Sequence, residues 1–109
     1  MAIVGDFNDT PDSAPLAPLL AHTDLKDISV HPKSESDGRS GTFKNGAKGS
    51  KIDYILPSPV LFDRVTKAGV FRKGVWGGKY GTLWPIYTMM KEAVHQASDH
   101  AAIYADIRL

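Results

Sequence analysis

Lys51-Ile52-Asp53-Tyr54-Ile55-Leu56, followed by Pro57-Ser58-Pro59, decides how the rest of this chain is read. Ile52, Tyr54 and Leu56 alternate with Asp53 and Ile55, the period of a β-strand, and the two prolines end it. A carboxylate within such a strand needs a partner if it is buried. Upstream, Ala2 to Phe7 is a short apolar run closed by the turn-rich Asn8-Asp9-Thr10-Pro11-Asp12, a second strand with Asp6 and Asn8 at its C-terminal mouth. Downstream, Ala101 to Leu109 alternates Ile103, Ala105, Ile107 and Leu109 with Tyr104, Asp106 and Arg108, the clearest half-buried strand, and Ser98-Asp99-His100 leads into it. Acids, an amide and a histidine therefore collect at the ends of three strands.

The intervening sequence predicts a few more elements. Phe62 to Phe71 reads as another strand. Asp12 or Ser13 caps a helix with Pro15 in its first turn and Leu16, Leu19 and Leu20 on one face. Pro85 is placed to start a second helix, with Ile86, Met90, Ala93 and Ala97 near helical spacing. His31 to Ser50 is polar and glycine-rich, a long loop or hairpin with one short strand at Thr42-Phe43. Lys73 to Tyr80 is a glycine-rich loop around Trp76; it lacks the sequence context of a nucleotide-binding loop. The expected packing role of Trp76, Trp84, Tyr80 and Tyr87 is ordinary core or loop anchoring.

With 109 residues and 42% hydrophobic content, the chain is the size of one modest domain, residues 1–109. A net charge of +1 provides no global field for a polyanion, so a phosphate-directed role has to rest on a local site. There is no cysteine, which excludes disulfides, thiolate metal sites and a cysteine nucleophile but leaves the compartment open. No targeting segment or membrane-length apolar run is visible. Lys44, Lys48 and Lys51 read as a solvated loop face, and His22, His31 and His95 as surface or loop residues.

Hydrolysis of a phosphoester requires an aligned water, a base for its proton, and donors or cations on the nonbridging oxygens. Asp6 and Asn8, two positions apart on an extended strand end, point the same way and can hold one water or one phosphate oxygen together. The same residues also read as a simple Asx turn.

Taken together, Gly5-Asp6-Phe7-Asn8, Lys51-Ile52-Asp53-Tyr54-Ile55 and Ser98-Asp99-His100 resemble the C-terminal half of the endonuclease/exonuclease/phosphatase superfamily, the DNase-I-like phosphodiesterases and phosphomonoesterases. The likeness runs from about Ile3 to Leu109. It implies an α/β (α+β) fold: half of a four-layer αββα sandwich, with one mixed, mainly antiparallel sheet and helices on one face. By resemblance Asp6 activates or orients the nucleophilic water, Asn8 stabilises the transition state and contacts substrate, and Asp53 accepts a hydrogen bond from His100. A carboxylate behind an imidazole fixes its tautomer and favours an imidazolium able to donate to a phosphate oxygen. Asp99 and Asp6 lie by resemblance at a divalent ion, magnesium or manganese, which suits hard carboxylate oxygens.

The resemblance also implies something missing. The family takes a metal-binding glutamate from its first half, and neither Glu35 nor Glu92 is placed to replace it. The expected function is a metal-dependent phosphoester hydrolase, nuclease or phosphatase, with weak ion binding and little activity alone. The alternative is a noncatalytic dimeric module that binds phosphate or nucleic acid. A half-sandwich exposes a sheet face, so a homodimer or the missing half is the expected partner, covering some of Ile3, Ile52, Tyr54, Ile103, Ala105 and Ile107.

Overall fold

Strand β1 (Ala2–Asp6) lies antiparallel to β3 (Asp53–Pro57) in a computed structural model that describes all 109 residues. Ile3 pairs with Leu56, Gly5 with Tyr54 and Asp6 with Asp53. A second ladder joins β4 (Val65–Phe71) antiparallel to β5 (Ala102–Ile107), with the short β2 (Ser34–Glu35) parallel to β4. The expected mixed, mainly antiparallel sheet is thus present in two hydrogen-bonded parts, with β3 beside β5 where they meet.

Thr42 and Phe43 account for the gap at the upper end of that junction. The Thr42 carbonyl accepts the Ala101 N–H, while the Thr42 hydroxyl accepts the N–H groups of Ile52 and Asp53. Phe43 forms a bridge with His100. Donors that would otherwise link the starts of β3 and β5 are therefore satisfied by the inserted segment, as buried backbone groups must be. The short strand expected at Thr42-Phe43 is reduced to this bridge.

Helices are few and short. A 3₁₀ turn (Ala14–Leu16) runs into α1 (Ala17–Leu20), and Leu16, Leu19 and Leu20 pack on Tyr54, Leu56, Ile3 and Phe7. Phe7 stacks on Tyr54 with ring centres 5.3 Å apart. Helix α2 (Pro59–Asp63) starts with proline in its first turn, where the missing N–H costs nothing, so Phe62 is helical and the following strand begins at Val65.

The helix expected from Pro85 does not form. Only Ala93–His95 makes a 3₁₀ turn, and His95 Nδ1 accepts the N–H groups of Lys91 and Glu92. Ala97 N–H bonds to Gly74, and the Gln96 amide oxygen accepts Trp76 N–H, so this segment is tied to the glycine-rich loop rather than to itself. Trp84 anchors that loop by donating its indole N–H to the Val75 carbonyl at 2.8 Å. A Cβ at Gly77 would stand 2.7 Å from the Trp84 ring, so glycine is required there for close approach. Tyr80 and Tyr87, expected to pack, are exposed instead.

The covered face of the sheet is the one expected to be open. Tyr54 is fully buried and Ile3 packs beside it, while Ala105 and Ile107 lie against Ile28, Val65 and Ala68. Residues on the other side of β1, Ala2, Val4 and Asp6, are exposed. Because side chains alternate along β1, Val4 points away from the face on which Ile3 packs against Tyr54 and the leucines of the first helical segment. No helix is long and apolar enough to cross a membrane.

Candidate active site

The pairing of β1 with β3 sets Asp6 directly opposite Asp53. Like charges in such a pair repel, and His100 lies between them. Its Nδ1 donates to Asp53 Oδ2 at 2.9 Å, and its Nε2 is 3.9 Å from Asp6 Oδ2. The hydrogen bond expected between Asp53 and His100 is therefore present. That bond, backed by the charges of Asp53, Asp6 and Asp99, raises the histidine pKa above its ordinary 6.5 against an opposing effect of burial.

Asp53 is held from behind. The Thr42 hydroxyl donates to Asp53 Oδ2 at 2.6 Å while receiving the backbone N–H groups of Ile52 and Asp53, each at 3.2 Å. Thr42 is buried, and no sequence pattern singled it out beyond a short strand in a polar loop. Its role becomes visible only when residues 42 and 53 are brought together.

Lys51 is a correction to the reading of a solvated lysine face. It is buried, its ammonium 3.3 Å from Asp27 Oδ2, 2.9 Å from the Asp53 carbonyl oxygen and 3.8 Å from the centre of the Tyr54 ring. The start of β3 is thus fixed on both sides of Asp53. Lys44 and Lys48 are exposed as expected.

Asn8 sits beyond β1 with a positive φ of 52°, a conformation asparagine tolerates better than most residues. Its N–H bonds to Asp6 Oδ1 at 2.8 Å, the Asx turn that the sequence allowed. Asp6, Asn8, Thr10, Phe43 and His100 then line one open cleft of about 390 Å³. Phe43 tilts against the His100 ring, the ring centres 4.9 Å apart.

Asp99 is placed differently. It is exposed in the turn before His100, and its carbonyl accepts the Lys44 N–H at 2.7 Å. One ligand atom each from Asp6, Asp53 and His100 lies within 4.8 Å of the others, and Asp99 is outside that group. Within it, Asp53 Oδ2 is already engaged by Thr42 and His100, whereas the Asp6 carboxylate faces the cleft. The donors fit a hard divalent ion held through Asp6, with water or substrate oxygens completing the shell.

Glu35 and Glu92 stand apart from the cleft. Glu35 is 3.8 Å from Lys67 Nζ, and Glu92 belongs to the capping box of the Ala93–His95 turn. Of the remaining histidines, His22 is exposed, His31 rests edge-on against Phe62 and His95 closes its own turn.

No curated protein and no solved structure matches this chain. A family model described as "Endonuclease/Exonuclease/phosphatase family" matches residues 1–100, a span that includes every residue of the Asp6–Asp53–His100 cluster and the Asn8 cleft. The chain belongs to the endonuclease/exonuclease/phosphatase family.

Proposed function

We propose that this chain is a metal-dependent phosphoester hydrolase, a nuclease or phosphatase, whose residues 1–109 act as one domain equivalent to the C-terminal half of the family's catalytic fold. The observation that carries the reading is the opposed Asp6–Asp53 pair joined by His100 at the edge of the Asn8 cleft. Asp6 orients the attacking water and withdraws its proton; Asn8 donates to a nonbridging phosphate oxygen. His100, held by Asp53 and protonated, donates from Nε2 to a phosphate oxygen where negative charge builds. Magnesium or manganese, when held by Asp6 directly and by Asp99 through water, supplies charge neutralisation at the phosphate. The partner is a phosphoester, nucleic acid included.

Two measurements test this reading. Manganese titrated into labelled protein should broaden the NMR signals of Asp6, Asn8 and Asp99 first, in the millimolar range, because few protein oxygens are available to hold the ion. Hydrolysis of bis(4-nitrophenyl) phosphate with magnesium should be slow and should vanish in Asp6→Asn. Broadening that starts elsewhere, together with hydrolysis unaffected by Asp6→Asn, would overturn it.

A second reading, a noncatalytic dimeric phosphate-binding module, is supported by a specific observation: no glutamate approaches the three-donor cluster. In that reading the exposed β1 face at Ala2 and Val4 lies against a second copy, and phosphate binds without turnover. Phosphate-dependent shifts of Asn8 and His100 without any magnesium-dependent hydrolysis would favour it.

A further inference from the structure

Phe71, the last residue of β4, and Ala102, the first of β5, are cross-strand partners on an exposed part of the sheet. Together with Val75, Tyr87 and Ala97 they line an open groove of about 290 Å³. Val75 is buried, while Phe71 and Tyr87 are each exposed by two-fifths or more. Two partly bared aromatic rings over an apolar residue form a surface that favours a planar apolar group.

His100 lines this groove as well as the Asp6–Asn8 cleft. The two depressions therefore border the same residue, the groove mostly apolar and the cleft mostly polar. The Lys73 ammonium lies 4.8 Å from the centre of the Tyr87 ring and adds positive charge near the groove. A ligand with an anionic end and an aromatic end matches this order of charge and apolar surface.

We propose that the Phe71–Tyr87 groove is a subsite for an aromatic group esterified to the phosphate that occupies the Asp6–Asn8 cleft. The inference rests on the phosphoester reading of that cleft. Phosphate anchors the ligand beside Asn8 and His100, and the ring is taken up between Phe71, Tyr87 and Ala102. Selectivity for aromatic over small alkyl esters follows, since a methyl group cannot reach both rings. Stacking of one ring is a contribution on the order of a tenfold gain in affinity.

Methyl phosphate and phenyl phosphate, compared by NMR titration of the same magnesium-containing protein, separate the two ideas. Both should shift Asn8 and His100, but only phenyl phosphate should also shift the methyl signals of Val75, Ala97 and Ala102, binding about tenfold more tightly. Phe71→Ala should reduce that advantage several-fold while leaving methyl phosphate affinity unchanged. Ala97→Leu, at an exposed position, should fill the groove to the same effect, so a folding defect in either variant leaves the other decisive. Equal affinity for the two esters, or phenyl phosphate that shifts Asn8 and His100 but not Ala97 or Ala102, would overturn the subsite and leave the phosphate reading intact. Absence of any shift at Asn8 and His100 with either ester would overturn the phosphate reading itself, and the subsite with it.

Discussion

Asp6 and Asp53 face each other across the β1–β3 ladder, and the His100 imidazole reaches both, Nδ1 to Asp53 and Nε2 toward Asp6. Each carboxylate raises the proton affinity of the ring, and the protonated ring in turn relieves their repulsion. The pair and the histidine thus form one electrostatic unit in which the charge of any member depends on the other two.

The first prediction is a titration. His100 should retain its proton above 6.5, and Asp53→Asn should bring its pKa down by removing the largest cause of the shift. Because the folded pKa is raised, the stability contributed by the protonated ring is fully present below about pH 6.5 and is lost as pH rises through the folded value. Chemical denaturation of the parent protein at pH 6 and at pH 9 should show this loss, and Asp53→Asn should show little of it. A pKa unchanged by the substitution would mean that Asp53 does not hold the ring.

Asp6→Asn should separate stability from function. At a pH above the folded His100 pKa, where the ring is neutral, removing one of two opposed carboxylates should stabilise the fold by about 0.2–1 kcal/mol. At pH 6 the gain should disappear, because the substitution also removes an attraction to the imidazolium. Urea unfolding at the two pH values checks both signs, while phosphoester hydrolysis should be lost at either.

Thr42→Val should cost about 1–3 kcal/mol, since a methyl group of equal size leaves the Asp53 carboxylate and the Ile52 and Asp53 N–H groups with fewer partners in a buried place. Thr42→Ser, which keeps the hydroxyl, should recover most of that loss. Denaturant midpoints of the two variants supply the comparison, and equal destabilisation by both would point to packing of the threonine methyl instead.

Lys51→Met should destabilise by roughly 3–5 kcal/mol, because it keeps the apolar stem but abandons Asp27, whose side chain is only 13% exposed. The double change Lys51→Met with Asp27→Leu should recover part of the loss. Thermal unfolding of the single and double variants tests the pairing. A single variant within about 0.5 kcal/mol of the parent would show that this ion pair does not hold β3.

The exposed side of β1 leads to a prediction about assembly. Val4 has 64% of its surface exposed although its neighbours Ile3 and Gly5 are half-buried. Light scattering at micromolar concentration should report self-association, and Val4→Asp should weaken it without unfolding the chain, since this side chain makes no core contact. A parent protein that stays monomeric at those concentrations would show that the β1 face needs no cover.

The alternation in Ile52–Leu56 and Ala101–Leu109, and the turn after Phe7, were sufficient to locate three strands and to put Asp6, Asn8, Asp53 and His100 at their ends, because a period of two and a strand-ending turn are local properties. The same local reasoning failed at Pro85–Ala97, where helical spacing yields to hydrogen bonds with Gly74 and Trp76 and to the His95 ring. It also selected Tyr54 and Ile107 for the open face of the sheet, since periodicity separates two faces without saying which one the rest of the chain will cover. Thr42 and Lys51 acquire their roles only through partners distant in sequence or hidden by burial: Asp53 is eleven residues from Thr42, and Asp27 meets a Lys51 ammonium that lies over the Tyr54 ring. The sequence by itself determined which groups stand at the strand ends. Tertiary structure alone decided that two of the acids oppose each other, that one histidine serves both, and which side of the sheet meets solvent, because register and burial depend on contacts between segments that carry no mark of one another.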